Sequence, residues 1–310
     1  MSLTLPEAAK LMTGEVIRPS VVETFARTAD PLGVMPFLNV SGGAYVYSQE
    51  DTLPSVGFRA VNEAYAESSG VAERKTEQLV ILGGDLDVDK FIVDTNGAAV
   101  RASHTLMKAK SLAHTWAHKF IKGDSSTTPK EFDGLQVRLA GSQLVSNSAG
   151  TGAALSLLKL DEAIDATDNP THLYMSKAMR RLITAAGRGG GSGPAVGSVQ
   201  MSVDAMGNQL TTYAGLPILI ADDNADSQAT LGFNEAAEGG GSTSTSIYVL
   251  SLGESMLTGI QTAPPEVRDL GEIDSQEVYR TRFSWYSSIA LVHPRSATRL
   301  YGITNATVVE

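Results

Sequence analysis

No cysteine occurs in the 310 residues, which excludes disulfides, thiolate metal sites and cysteine nucleophiles. No apolar run approaches the ~20 residues needed to span a bilayer; stretches such as 215–221 and 289–292 are far shorter. The N-terminus MSLTLPEAAKL has no basic segment followed by an apolar core. No secretory signal is therefore expected, and the reading is a protein made in the cytoplasm. Catalytic signatures are also missing. Residues 187–194 resemble a phosphate-binding loop but lack its Gly-Lys-Ser/Thr ending. There is no G-x-S-x-G elbow. His114 and His118 have zincin spacing, yet Thr115 stands where the glutamate is required.

The chain that remains is globular in composition and long enough to bury a large core, as one body or two connected subdomains. Its net charge of −10 argues against gripping nucleic acid over the whole surface. The charge is unevenly spread. Residues 97–123 contain no acid but carry Arg101, Lys108, Lys110, Lys119 and Lys122. Residues 50–77 do the reverse, with acids at 50, 51, 63, 67, 73 and 77 against three basic residues.

Residues 5–12 and 16–28 read as amphipathic helices, with Pro6 and Pro19 suited to first turns. Residues 44–47 are strand-like and open a long polar excursion to residue 78. Its apolar stripe (Val56, Phe58, Ala60, Val61) is too weak to bury much alone, so it is mobile or lies against a partner. The strongest helix covers 97–121 and places Ala102, Leu106, Ala109, Ala113, Trp116 and Phe120 on one face. Arg101, His104, Lys108, Thr115, His118, Lys119 and Lys122 take the other. At ~25 residues it spans roughly 37 Å and serves as a structural spine.

An α/β pattern follows: a helix over 152–166, a strand over 171–175, and a helix over 177–186 capped by Ser176 and ended by Gly187. Met206-Gly207-Asn208 marks a hairpin turn. Residues 216–221 and 247–252 read as strands, and 279–286 and 287–293 as two more. Residues 187–193 and 238–246 read as low-complexity loops.

Asp85, Asp87 and Asp89 alternate along LVILGGDLDVDKF. An EF-hand starting at Asp85 would need glycine where Lys90 stands and glutamate where Asn96 stands. The preferred reading is a strand with Leu86 and Val88 inward and the aspartates facing solvent or a partner; they are weak metal candidates only.

The order of parts, with Leu3 to Lys10, Asp51-Thr52-Leu53-Pro54, residues 82–89, KFIKGDSSTTPKEFDGL at 119–135 and IALVHPRSATRL at 289–300, resembles the major capsid proteins of tailed double-stranded DNA bacteriophages. The resemblance implies an α+β, HK97-like capsid fold: N-arm 1–41, E-loop hairpin 42–78, P-domain 79–134 with spine helix 97–122, A-domain 135–270, and a return to the P-domain with C-terminal strands over 271–310. It implies a non-enzymatic shell subunit without cofactor, assembled in the bacterial host cytoplasm into a virion capsid. The implied partners are copies of itself as pentamers and hexamers, a portal, a separate scaffolding protein, a decoration protein, and packaged double-stranded DNA held non-specifically, with no membrane. Glu63, Glu67 and Glu73 are candidates for inter-subunit contact. Arg101, Lys108, Lys119 and Lys122 are candidates for a genome-facing or inter-subunit basic face, and Gly189, Gly190 and Gly191 for a capsomer-axis loop. No local motif marks Lys75 or Asn305 as a cross-linking pair. Two other readings remain: an encapsulin-type bacterial compartment, and a soluble α/β enzyme with an unrecognised site.

Overall fold

A computed structural model of the chain describes residues 3–4, 29–97, 99–188, 199–203, 209–221, 223, 228–274 and 276–309. The helices expected over 5–12 and 16–28, the glycines Gly189, Gly190 and Gly191, and the turn at 206–208 lie outside them.

Strand β1 (Leu3–Thr4) pairs with β2 (Pro36–Asn39), which follows the short helix α1 (Asp30–Val34). Strands β3 (Ala44–Thr52) and β4 (Val71–Gln78) make a separate antiparallel hairpin. Strand β5 (Val80–Asp89) leads through α2 (Lys90–Asn96) into the spine, α3 (Ala99–Lys122). Then come α4 (Leu135–Arg138), β6 (Leu144–Ser146), α5 (Leu157–Asp165), β7 (His172–Ser176) and α6 (Lys177–Gly187). The chain continues through β8 (Val199–Val203), β9 (Gln209–Tyr213), β10 (Leu216–Ala221) and β11 (Thr245–Leu250). It closes with β12 (Leu257–Gln261), β13 (Glu266–Ile273), β14 (Gln276–Leu291) and β15 (Ala297–Ile303).

Two larger sheets result. One has six strands in the order β1-β2-β12-β14-β13, with β5 also paired to β14; the other has seven, β6-β15-β11-β7-β10-β9-β8. The residues expected as two strands over 279–286 and 287–293 form most of one strand, β14. No turn residue interrupts it, and its partners overlap: β5 pairs with 278–287 while β12 takes over at 287–291. Sheet membership also cuts across the segments expected from the sequence. β12 and the first part of β13 fall within 135–270 but join the sheet of β14, whereas β15 falls within 271–310 but joins the seven-stranded sheet.

The spine is wedged between the two sheets. Trp116 and Phe120 stack at 5.4 Å, Trp116 meets Trp285 at 5.7 Å, and Phe120 meets Tyr174 of β7 edge-on at 6.2 Å. Both tryptophans of the chain lie in this cluster. The helical phase read from the sequence is correct, but its start is not. Ala102 and Leu106 share the apolar arc and are exposed, whereas burial begins at Thr105 and Ala109 and continues through Ile121.

The seven-stranded sheet obeys its period of two. Tyr174 and Tyr248 face the spine, while Leu173, Met175, Ile247 and Val249 face α5 and α6 on the far side. Ser176 caps α6 as expected, accepting from the Met179 amide at 3.3 Å. The residues read as a low-complexity loop over 238–246 are tied to the body: Gly239 N donates to Gly150 O, and Ser244, Thr245 and Ser246 are buried.

His172 opens β7 with its Nδ1 2.9 Å from Thr171 Oγ1, and burial pushes its pKa down to about 4. The folded state keeps this ring neutral, so the unfolded chain takes up the proton first as pH falls. Stability is lost from the ordinary value of 6.5 down to about 4, by at most about 3 kcal/mol. Urea unfolding of the unassembled subunit should show this loss, and His172→Gln should flatten that part of the profile.

A candidate subunit interface

The β3–β4 hairpin is firm at its base and bare at its tip. At the base, Arg138 of α4 grips both carboxylate oxygens of Glu77, Nη2 lying 2.7 Å from Oε2. Tyr47 donates to Glu77 Oε1 at 3.3 Å, and burial together with that carboxylate raises its pKa. Gln49 Nε2 donates to Leu291 O at 3.4 Å, and the Tyr45 and Tyr47 rings stack at 5.7 Å. Both Glu77 and Arg138 side chains are mostly shielded, at 15% and 12% exposure, so removing either partner strands a charge.

Beyond residue 52 the backbone carries no strand pairing until residue 71. The tip holds a local turn of its own. Glu63 Oε2 accepts from the Ala60 amide, Arg59 donates to Glu63 O, Asn62 adopts φ 68°, and Arg59 sits 4.9 Å from the Tyr65 ring centre. Around this turn Val56, Phe58 and Val61 are 91–109% exposed, with Leu53, Tyr65 and Val71 also largely bare. An apolar group of this kind on an extended arm is a candidate interaction site, because water gains from its removal and no described part of the subunit provides cover.

The acidic candidates lie on this arm. Glu63 and Glu67 are at the tip, and Glu73 is on β4 beside Lys75 at 3.6 Å, an exposed pair of little energetic weight. The basic candidates are only partly available. Arg101 is held by Asp269 at 2.7 Å and lies over the Tyr279 ring, and Lys119 is held by Glu131 at 2.8 Å. Lys108 points toward Gly84 and the Asp85 carboxylate.

The three aspartates sit on β5 as expected, with Val88 buried between them. Their partners were not anticipated. Asp85 receives Arg282 at 2.7 and 2.8 Å, Asp87 receives Arg280 at 2.7 and 2.6 Å, and Asp89 caps α2 by accepting from the Phe91 amide at 2.8 Å. These arginine hydrogen bonds hold the Asp85 and Asp87 pKa values below the usual carboxylate range. Among the described residues, no group of three or more His, Asp or Glu side chains is arranged for a metal ion. The signal available in the sequence was Arg280-x-Arg282, which mirrors Asp85-x-Asp87 in antiparallel register.

The stretch after the spine forms a clasp. Gly134 N donates to Gly123 O and Gly123 N to Lys119 O, so two backbone segments touch. Asp124 binds Ser126 and Thr127 through backbone and side chain, which lowers its pKa to about 2. Phe132 then enters the core against Trp116 at 5.9 Å. The clasp thereby ties the end of the spine to the start of α4, and through Arg138 to the base of the hairpin.

Comparison with known proteins places this architecture. Residues 15–156 match the family model for major capsid protein GP7. No curated protein matches the sequence. A chain of the holo-SrpI encapsulin complex from Synechococcus elongatus PCC 7942 is similar with a TM-score of 0.65 at 17% identity, over 92% of this chain and 91% of that one. A chain from Mycobacterium phage Cain is similar with a TM-score of 0.59 at 12% identity, over 100% and 99%. A chain from the structure of the phage G gp27 major capsid proteins and gp26 decoration proteins gives 0.56 at 10% identity, over 86% and 87%. At such identities the likeness to solved structures is one of fold. Residues 15–156 thus match a major-capsid family model, and the chain has an HK97-like fold over nearly its whole length.

Proposed function

We propose that the protein is the subunit of a closed icosahedral or prolate shell that encloses the double-stranded DNA of a tailed phage. The observation that carries this reading is the bare apolar tip of the β3–β4 hairpin on an arm anchored by Arg138 and Glu77. The apolar side chains of such a tip stay in water until another copy covers them. In HK97-like terms the hairpin is the E-loop, the spine with the six-stranded sheet is the P-domain, and the seven-stranded sheet with α5 and α6 is the A-domain. Gly189, Gly190 and Gly191, following α6, are assigned to the capsomer axis. The role is structural and needs no cofactor. Copies meet as pentamers and hexamers in the host cytoplasm, with a portal, a separate scaffolding protein and a decoration protein as further partners.

The contact between copies pairs opposite charges. Glu63, Glu67 and Glu73 of one hairpin approach the basic face of a neighbour's spine, where Lys108 and Lys122 carry no full ion pair with a described residue while Arg101 and Lys119 are already engaged. Electron microscopy of the purified wild-type protein should show shells. Reversing charge at Glu63, Glu67 and Glu73 should leave the unfolding midpoint nearly unchanged, because exposed charges contribute little to a lone subunit, and should reduce shell yield severely. Normal shells from the reversed variant would remove the charge-pairing contact. A wild-type protein that runs only as a small oligomer would remove the shell itself. An encapsulin-type compartment shares the fold; particles containing cargo protein and no nucleic acid would favour it.

A further inference from the structure

Helix α6 carries its charges in the wrong place for its own stability. Between Asp168 and Asp204 the chain has no acid, while Lys177, Arg180, Arg181 and Arg188 are all present. The first turn contains cations and no acid, so positive charge sits at the positive end of the helix dipole. Lys177 and Arg181 are also four residues apart, a like-charge spacing that is unfavourable in a helix. At 100° per residue Arg180, Arg181, Thr184 and Arg188 fall within about 100° of arc, opposite the buried Met179, Ile183 and Ala186 that pack beneath α6. Arg180, Arg181 and Arg188 have no side-chain partner among the described residues. The adjoining residues 189–198 contain no acid. With no described side chain compensating these three arginines, the surface is of the kind that an external partner completes.

We infer that the outward stripe of α6, formed by Arg180, Arg181 and Arg188, holds the phosphate backbone of duplex nucleic acid without base preference. The inference deepens the shell reading, on which it rests for a nucleic acid within reach. Arginine suits the task because its planar fork binds phosphate oxygens in pairs. From Arg180 to Arg188 the stripe runs about 12 Å, and a duplex presents one negative charge per ~1.7 Å of axis, so several phosphates face it at once. An acidic protein surface would be matched by the same charges, and shell yield read against duplex binding tells the two occupants apart. The neighbouring acids of α5 are also engaged: Asp161 accepts from the Tyr213 hydroxyl at 2.9 Å, and Glu162 pairs with Lys159 at 2.7 Å. The spine is the poorer phosphate site, since Arg101 and Lys119 are each neutralised within the chain.

The test titrates unassembled protein into a labelled DNA duplex of mixed sequence at several salt concentrations from about 50 to about 200 mM. The wild type should bind with a steep salt dependence. The variant with Arg180→Gln, Arg181→Gln and Arg188→Gln should bind about tenfold more weakly or worse. Its slope of log affinity against log salt should be shallower by about 2.7, from three phosphates at ~0.9 each. The corresponding triple Arg→Lys variant keeps most of the slope, which separates lost charge from lost fold. Lys108→Gln with Lys122→Gln should leave the slope intact. Unchanged binding in the arginine-to-glutamine variant overturns the inference, as does a slope lost only in the spine variant. Missing shells with unchanged duplex binding would make the stripe a subunit contact and overturn it too. An arginine-dependent slope in a wild-type protein that forms no shells would instead sink the shell reading alone.

Discussion

Replacing Leu53, Val56, Phe58 and Val61 with serine should leave the subunit folded and stop shell formation. In a single copy these side chains are almost wholly bare, so they contribute no packing energy, and surface substitutions of this kind change stability by about 0.5 kcal/mol or less. Even four together should therefore move the unfolding midpoint by only a few degrees. In a shell the balance differs. Each of these side chains, once covered by a neighbour, contributes about 1.5–3 kcal/mol, and the contact recurs at every subunit. Size-exclusion chromatography and electron microscopy read the result directly: folded protein that stays unassembled. Shells formed at normal yield would show that the tip is not covered on assembly.

Gly134→Ala should severely damage the fold. A Cβ at Gly134 would lie 2.6 Å from the carbonyl oxygens of both Ile121 and Lys119 and 2.7 Å from the Gly123 amide nitrogen. All three obstacles are backbone. None can rotate away, so the clasp that ends the spine must open. The expected cost is about 3 kcal/mol or more, at the upper end for overpacking. It should appear as a large drop in unfolding midpoint or as insoluble protein. Gly123→Ala should behave alike, with its Cβ 2.3 Å from Phe132 O. Gly43→Ala is the control: nothing lies within 4 Å of its Cβ, and its midpoint should match the wild type. A stable Gly134→Ala protein would show that the clasp does not constrain the spine.

Both expectations rest on features of different legibility. The hairpin could be read because residues 48–78 lack the apolar periodicity of a self-sufficient element. The clasp could not. Its glycines are eleven positions apart in sequence, and only the return of the chain past Phe132 puts Gly134 against Lys119 O. Asp85 and Asp87 show the same divide. Their alternation placed them on the outer face of a strand, but Arg282 and Arg280 stand 197 and 193 residues away. The cationic stripe of α6 was present in the sequence as an acid-free run. It gains meaning once Met179, Ile183 and Ala186 are seen to bury the opposite face.

The sequence by itself determined the local periods: the arc of the spine, the alternation of β5, the cap at Ser176, and the weak hydrophobicity of the hairpin. These follow from side chains within a few residues of one another, where backbone geometry sets the spacing. The tertiary structure alone decided which strands share a sheet, that β14 is one strand, where along the spine burial begins, and which charges are already paired. Those outcomes depend on contacts between distant segments, and local spacing carries no information about which segment will arrive opposite.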